Sequence, residues 1–279
     1  MLDANLKQEV RVKEQRYWTV EHSVAVNYQT HVVPNVIRPF AERLLEAAAP
    51  QPGDQVLDLA CGTGEVSRML ASRVGTDGSV VGVDPSVEML EVARALPTPG
   101  NVSWEEAYAD NLPVSDDCFD LVVCHQGMQF FPDKAKALQE IRRVLKPEGR
   151  FAVSAWRSHE YNPVNRATAS VIEELFGHFP GVTPGVGFGL GEEAVLRPLL
   201  EDAGFRIASL QTVRIEIEAP TAEEYLTRQW SATPSAGVLA EHEELRDQAF
   251  ALALEKIRKF QTEEGFRAPM ETMIVVART

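Results

Sequence analysis

Two carboxylates and two glycines set the chemistry open to this chain. Asp58-Leu59-Ala60-Cys61-Gly62-Thr63-Gly64 closes one apolar run, and Asp84 closes the next, Val80-Val81-Gly82-Val83. Glycines between a strand and a helix let the backbone approach a ligand where a Cβ would collide. An acidic residue at the second strand's end can accept both hydroxyls of a ribose. Together these residues describe a nucleoside-binding crevice at the carboxyl ends of parallel strands. Charge narrows the choice of nucleoside. Ser67 stands where a dinucleotide fingerprint wants a third Gly or Ala, and Glu65 immediately follows the loop, an awkward charge beside a pyrophosphate. Asp58 faces the same crevice from the strand end. Carboxylates suit a sulfonium and an ammonium group better than they suit phosphates.

These groups need a scaffold, and the hydrophobic pattern supplies one. Val56–Ala60 is a near-continuous apolar run, as a central strand buried on both faces requires. Further strands are expected at Val80–Val83, Val102–Trp104, Phe119–Cys124, Arg150–Trp156, Phe205–Glu218 and Thr272–Ala277. Helical spacing falls between them: Val66, Met69, Leu70 and Val74; then Met89, Leu90 and Ala93 after Pro85-Ser86; then Leu138, Ile141 and Leu145 within Lys134–Lys146. More helix is expected at Pro39–Ala49, Ala169–Phe176, Leu196–Leu200 and over 221–231 and 239–262. Strands alternating with helices read as an α/β fold with a parallel sheet. The whole chain, 1–279, reads as one domain. It has an N-terminal helical cap over 1–50, a core over 51–157, and insertions at 158–191 and 219–268 that form a substrate cap. The loop Gly177–Gly191 in the first insertion is rich in glycine and proline.

From Val56 to Trp156 the sequence resembles the class I S-adenosylmethionine-dependent methyltransferases, in the group containing the ubiquinone and menaquinone C-methyltransferases. The matching pieces are Val56–Gly64, Gly82-Val83-Asp84, Ala109–Pro113, Phe119–Val122 and Arg143–Gly149, in the family's order and spacing. The resemblance implies a Rossmann-like, seven-stranded, mostly parallel sheet with helices on both faces and an antiparallel last strand. It implies S-adenosyl-L-methionine as cofactor. Asp58 would stand near its amino group and Ala60, Gly62 and Gly64 beneath its methionyl part. Asp84 would hold the ribose, Pro85 and Met89 would lie toward the adenine end, and Asp110, Asn111 and Leu112 would surround the adenine. His125 and Gln126 would border the transferred methyl. His125 is the candidate general base, with Tyr28 and His31 from the N-terminal cap, and Tyr161, behind it. Trp18, Phe130, Phe131, Trp156 and Trp230 are candidates to line an apolar acceptor pocket.

The implied reaction is methyl transfer to an oxygen, nitrogen or carbon of a small molecule. Two rivals differ in class: a nicotinamide-dependent oxidoreductase on a similar sheet, and a non-catalytic module that keeps the nucleoside site. Acceptors presenting an exocyclic amine of adenine or a glutamine side chain are disfavoured, while RNA or protein methylation by other routes stays open. The segment Cys124-His125-Gln126-Gly127 lacks the Asp/Asn-Pro-Pro-aromatic motif used on exocyclic amines. The 279 residues carry 41 acids against 27 bases, a formal charge of -14 that repels nucleic acid. Cys61, Cys118 and Cys124 are too few for a disulfide framework and give no metal-ligand spacing, so no metal is expected. The charged N-terminus lacks a signal peptide's apolar centre, and no run reaches the roughly 20 apolar residues of a membrane span. A cytoplasmic protein is expected.

Overall fold

A computed structural model describes residues 20–176, 187–233, 236, 239–240 and 242–279, with the backbone only at Phe176. Trp18 and the 177–186 part of the glycine-rich loop lie outside the described residues. The strands are β1 (Gln55–Leu59), β2 (Ser79–Asp84), β3 (Val102–Glu106), β4 (Phe119–His125), β5 (Leu145–Trp156), β6 (Arg206–Ala219), β7 (Gln261–Thr262) and β8 (Gly265–Arg278). They form one sheet in the order β3-β2-β1-β4-β5-β8-β6, with the two-residue β7 beside β8. The first five pair in parallel, and β8 runs antiparallel between β5 and β6. This is the expected seven-stranded sheet with one short addition.

Alternation along the strands gives each face its own core. Leu57 and Leu59 point toward α5 (Lys134–Val144) and α7 (Glu193–Asp202), packing with Leu138, Ile141, Leu196 and Leu200. Val56, on the other face, packs with Val66, Leu70 and Val74 of α3 (Glu65–Val74) and with Leu44 and Leu45 of α2 (Arg38–Ala48). Asp58 shares the face of Val56, so its carboxylate is carried under α3. α4 (Val87–Ala95) follows β2, with Ser86 as its N-cap accepting from the Met89 amide.

A third core lies beyond the sheet's end. It joins α6 (Pro163–Phe176), α8 (Ala222–Ser231) and α9 (Glu243–Ile257) to Ile217, Phe266 and Met270 of the two long antiparallel strands. The N-terminal helix enters it through Val32, Val33, Val36 and Phe40. That helix runs unbroken from α1 (His22–Asn27) through a π-helical stretch, Tyr28–Ile37, into α2. Pro34 sits inside the stretch, where it has no N–H to contribute to either helical register.

Several boundaries differ from expectation. The helix at 134 ends at Val144, because Leu145 pairs with Phe119 before the register shifts and resumes at Leu121 and Arg150. Turn residues 147–149 therefore lie inside an irregular strand. α6 begins six residues before the expected start, at Pro163, a favoured first helical position. The helix expected over 239–262 has its last residues in a 3₁₀ turn, Arg258–Phe260, and in β7. The last strand starts at Gly265, so the second insertion contributes to the sheet as well as to the cap.

Candidate functional site

The loop after β1 is shaped by what each glycine meets. Gly62 is left-handed (φ +55), and a Cβ there would project into open space. Gly64 is also left-handed (φ +80), but a Cβ there would overlap the ring of Trp104, which also lies against Gly82. So Gly62 leaves room at the crevice, whereas Gly64 is bare for packing against the indole from β3. The structure thus gives Gly64 a role that the motif alone does not show. Ala60, the residue that joins β1 to this loop, is left-handed without being glycine (φ 60), and so is Gln126 directly after the adjacent β4 (φ 56). Non-glycine residues in this region cost about 1 kcal/mol or more each, and such strain concentrates at functional sites.

Asp84 lies at the end of β2 with both carboxylate oxygens anchored. Gly62 N–H donates to Oδ2 at 2.8 Å and Ser86 N–H donates to Oδ1 at 2.9 Å. Each oxygen keeps a second lone pair, the arrangement two vicinal hydroxyls need. Burial pushes Asp84 up to about 6, against the pull of these two amides. Asp58, 1% exposed, accepts a 2.5 Å hydrogen bond from Ser67. Burial is the main reason its carboxyl rises to about 7, and the neighbouring Asp84 adds to it. Among the described residues neither carboxylate has an ion-pair partner, although Arg68 lies near enough to exert a small opposing pull on Asp58. Two buried, unpaired carboxylates beside a bare backbone turn suit a cationic nucleoside and disfavour a pyrophosphate. The donor set fits S-adenosylmethionine.

The residues expected around the adenine lie in a separate loop. Asp110 is 3.6 Å from Lys136, and Asn111 is exposed. Leu112 is buried, with its amide on Glu140 and its carbonyl on Arg143. Pro85 and Met89 are half-buried where β2 meets α4.

The N-terminal helix closes the crevice from above. His22 reaches Glu91 of α4 at 3.1 Å, Arg38 reaches Glu65 at 3.2 Å, and Asn27 donates to the Ser231 carbonyl. Tyr28 is near enough to Asp84 that this charge, after burial, raises its phenol well above the usual range. His31 is half-buried and makes no side-chain hydrogen bond among the described residues. Tyr161 lies under the Arg157 guanidinium, 3.5 Å from carbon to ring centroid. Arg157 is itself held by Glu192 and Glu271.

His125 lies at the carboxyl end of β4 with both ring nitrogens engaged. Nε2 is 3.1 Å from the Ile37 carbonyl and Nδ1 is 2.7 Å from Ser154 Oγ. A carbonyl only accepts, so Nε2 carries the proton and Nδ1 accepts from the serine. Burial lowers the imidazole to about 4, so it is neutral at physiological pH. In this arrangement no lone pair of His125 is left for a substrate proton. Gln126 next to it donates to Thr272 Oγ1 at 2.8 Å, joining the β4 loop to β8.

Residue-type reasoning did not single out Ser154, Gln129 or His159, and it read Ser67 only as a departure from the dinucleotide fingerprint. Gln129, 4% exposed, has an unpartnered Oε1, and His159 has a buried, unpartnered Nε2 with its ring against Phe188. For Gln129 the available signal was a polar residue inside the otherwise apolar Met128–Phe131. Among the expected wall aromatics, Trp156 packs edge-on to Phe40 and stacks with Phe188, and Phe130 lies against Gly187. Phe131 belongs to the core beneath the sheet, and Trp230 packs with Phe250 in the cap.

A Rossmann-like sheet whose switch-point crevice holds one doubly anchored carboxylate and a second buried one is the frame of a class of nucleoside-dependent enzymes. Residues 50–204 match the family of methyltransferase domains, and the chain belongs to that family, within the class I S-adenosylmethionine-dependent methyltransferases. The chain is similar to the 2-phytyl-1,4-naphtoquinone methyltransferase of Trichormus variabilis, 40% identical over 42% of this chain and 52% of that protein. It is also similar to the ubiquinone/menaquinone biosynthesis C-methyltransferase of Haemophilus ducreyi, 35% identical over 55% of this chain and 62% of that protein. The alignments thus span about half the length of these curated relatives. A solved structure from Bacillus halodurans C-125, described as a methyltransferase, shares the fold. Its TM-score is 0.58 at 23% identity, covering 85% of this chain and 97% of that one. Among the described residues no helix is long and apolar enough to cross a membrane, and no cluster of His, Cys, Asp and Glu could hold a metal.

Proposed function

We propose that this protein transfers the methyl group of S-adenosylmethionine to a small molecule with an aromatic ring. The carrying observation is the pair Asp84 and Asp58. One is doubly anchored at the end of β2; the other is buried without an ion-pair partner. Bound S-adenosylmethionine supplies a methyl on a sulfonium, an activated carbon with a good leaving group.

The chain's own residues do the rest. Asp84 holds the ribose hydroxyls, Gly62 leaves room for the methionyl part, and Asp58, oriented by Ser67, faces its ammonium. Asp110, Asn111 and Leu112 border the adenine, with Pro85 and Met89 alongside. The N-terminal helix, with Tyr28 inward, excludes water, and alignment in a dry site is most of what this displacement needs. His125 acts here as a positioning residue that ties this helix to the sheet. The aromatic acceptor is suggested by Trp156 and Phe188 above the same strand ends and by the quinone-ring enzymes among the relatives.

The test is a thermal shift with S-adenosylhomocysteine against NADH, followed by mass-spectrometric detection of methylated product from a panel of phenols, hydroquinones and amines. Stabilisation by S-adenosylhomocysteine with a methylated ring product is expected. Stabilisation by NADH alone sinks the reading.

A further inference from the structure

A hydrogen-bond chain of fixed polarity runs from the sheet into the turn that follows β4. It begins at Thr272 Oγ1, which lies 2.8 Å from the Ala155 carbonyl and 3.4 Å from the Met273 carbonyl. Both are acceptors, so the threonine hydroxyl donates and its oxygen is left to accept. That fixes the next group: Gln126 turns its amide nitrogen to Thr272 at 2.8 Å and its Oε1 away. Gln129 then donates from Nε2 to that oxygen at 3.4 Å. The reverse amide orientation would set two oxygens face to face, so the polarity passes to the end of the chain. Its terminus is Gln129 Oε1, a buried acceptor without a partner.

Burying an amide oxygen without a donor is costly, and native proteins rarely leave such a group without a reason. Two features make the arrangement rigid. Gln126 holds a left-handed backbone (φ 56), and its amide donates to the Ser154 carbonyl. Gln129 sits in the 3₁₀ turn Met128–Phe130 that directly follows β4 at the crevice. Thr272, where the chain starts, stands opposite Trp156 in the ladder, and cross-strand partners share a face. The chain therefore starts beside Trp156, and at its other end Gln129 is followed by Phe130, which lies against Gly187.

The geometry points to Gln129 Oε1 as the group that selects the methyl acceptor, by accepting a hydrogen bond from a neutral ring hydroxyl. The inference rests on the methyltransferase reading above. An ether or ketone at that position has no proton to give, and a carboxylate or phenolate would meet the negative end of the amide. The site would thereby distinguish a ring bearing O–H from the same ring bearing C=O or O–CH₃. Gln126 serves the acceptor through Gln129, as a positioning residue.

Calorimetry on the full chain tests this, using S-adenosylhomocysteine first and then 1-naphthol and 1-methoxynaphthalene on the S-adenosylhomocysteine complex. Wild type should bind the naphthol about tenfold more tightly than the ether, the scale of one buried hydrogen bond. Gln129→Leu should bring the ratio near one while S-adenosylhomocysteine affinity stays at the wild-type value. Thr272→Val, which frees the Gln126 amide to rotate, should reduce the ratio in part. Absence of a preference in wild type, or a full preference in Gln129→Leu, overturns the assignment and leaves the methyltransferase reading standing. Failure of S-adenosylhomocysteine to bind wild type removes both.

Discussion

Asp58 on β1 and Ser67 on α3 share a 2.5 Å hydrogen bond across the strand-to-helix turn that carries the glycines. The contact needs both elements: the strand's alternation points Asp58 at the helix, and Ser67 occupies the helix turn nearest the strand end. A third Gly or Ala at position 67 would leave the carboxylate without its hydroxyl donor. The feature that departs from a dinucleotide fingerprint is thus the one that holds a carboxylate in the crevice.

Binding of S-adenosylmethionine should release protons. Asp58 keeps its proton to about pH 7 in the folded protein, against an ordinary value of 3.8, and Asp84 to about pH 6. Between the ordinary and raised values the folded state holds more protons than the unfolded chain. Rising pH therefore weakens folding across that window. A bound cation favours both carboxylates and reverses the effect. Affinity should climb as pH rises from about 5.5 to 7.5, with release of roughly half a proton or more at pH 6.5. Calorimetry in buffers of different ionisation enthalpy measures this, and Asp58→Asn should diminish it. Binding heats independent of buffer would sink the linkage.

The two loop glycines should fail in different ways. Gly64→Ala drives a methyl into the Trp104 ring and should destabilise the fold by about 1–3 kcal/mol, read by denaturant titration. Trp104→Leu in the same chain should recover part of that loss. Gly62→Ala meets open space and should cost only about 1 kcal/mol of stability, from its left-handed backbone. Its larger effect should be on S-adenosylhomocysteine affinity. Equal effects of the two substitutions on both quantities would contradict this division.

At Asp84 the choice of substitution matters. Alanine would strand the Gly62 and Ser86 amides as well as remove the ribose contact, so its effect mixes stability with binding. Asp84→Asn keeps an acceptor for one amide and loses the charge. Cofactor affinity should fall by about 1.5–3 kcal/mol, with a smaller loss of stability than in Asp84→Ala. An unchanged dissociation constant in folded Asp84→Asn takes Asp84 out of the binding site.

How far the sequence could be read depended on the range of the interactions. β1, β2 and β4 were legible to within a residue or two because buried parallel strands are short apolar runs bounded by turns. The helix start at His22 was not, since Pro34 and Pro39 interrupt the pattern and the π-helical stretch shifts its period. Half of β8 was missed because Gly265–Glu271 alternates mixed residues that are defined only by pairing with β6. In the site, Asp58, Gly62 and Asp84 were visible as residue types at local spacing. The Thr272–Gln126–Gln129 chain was not, since 146 residues separate its first two members and only sheet order brings them together. His125 was found by position, but its engagement with Ile37, 88 residues away, was hidden for the same reason.

His125 should behave as a pH-dependent tie between the N-terminal helix and the sheet. Its folded value of about 4 lies below the ordinary 6.5, so between these the unfolded chain takes up a proton that the folded chain refuses. The histidine's contribution is therefore complete above about pH 6.5 and is lost as pH falls toward 4. Asp58 and Asp84 oppose this trend, so the histidine's share is read from the difference between wild type and His125→Gln. Denaturant titrations should show the variant less stable by a few kcal/mol at pH 7 and nearly equal to wild type at pH 4.5. Hydrogen exchange at pH 7 should quicken in residues 28–40 of His125→Leu, because there the Ile37 carbonyl loses its donor, while β1 and β2 stay protected. A stability difference that does not change with pH, or unaltered exchange in that helix, would show that the imidazole does not hold the helix in place.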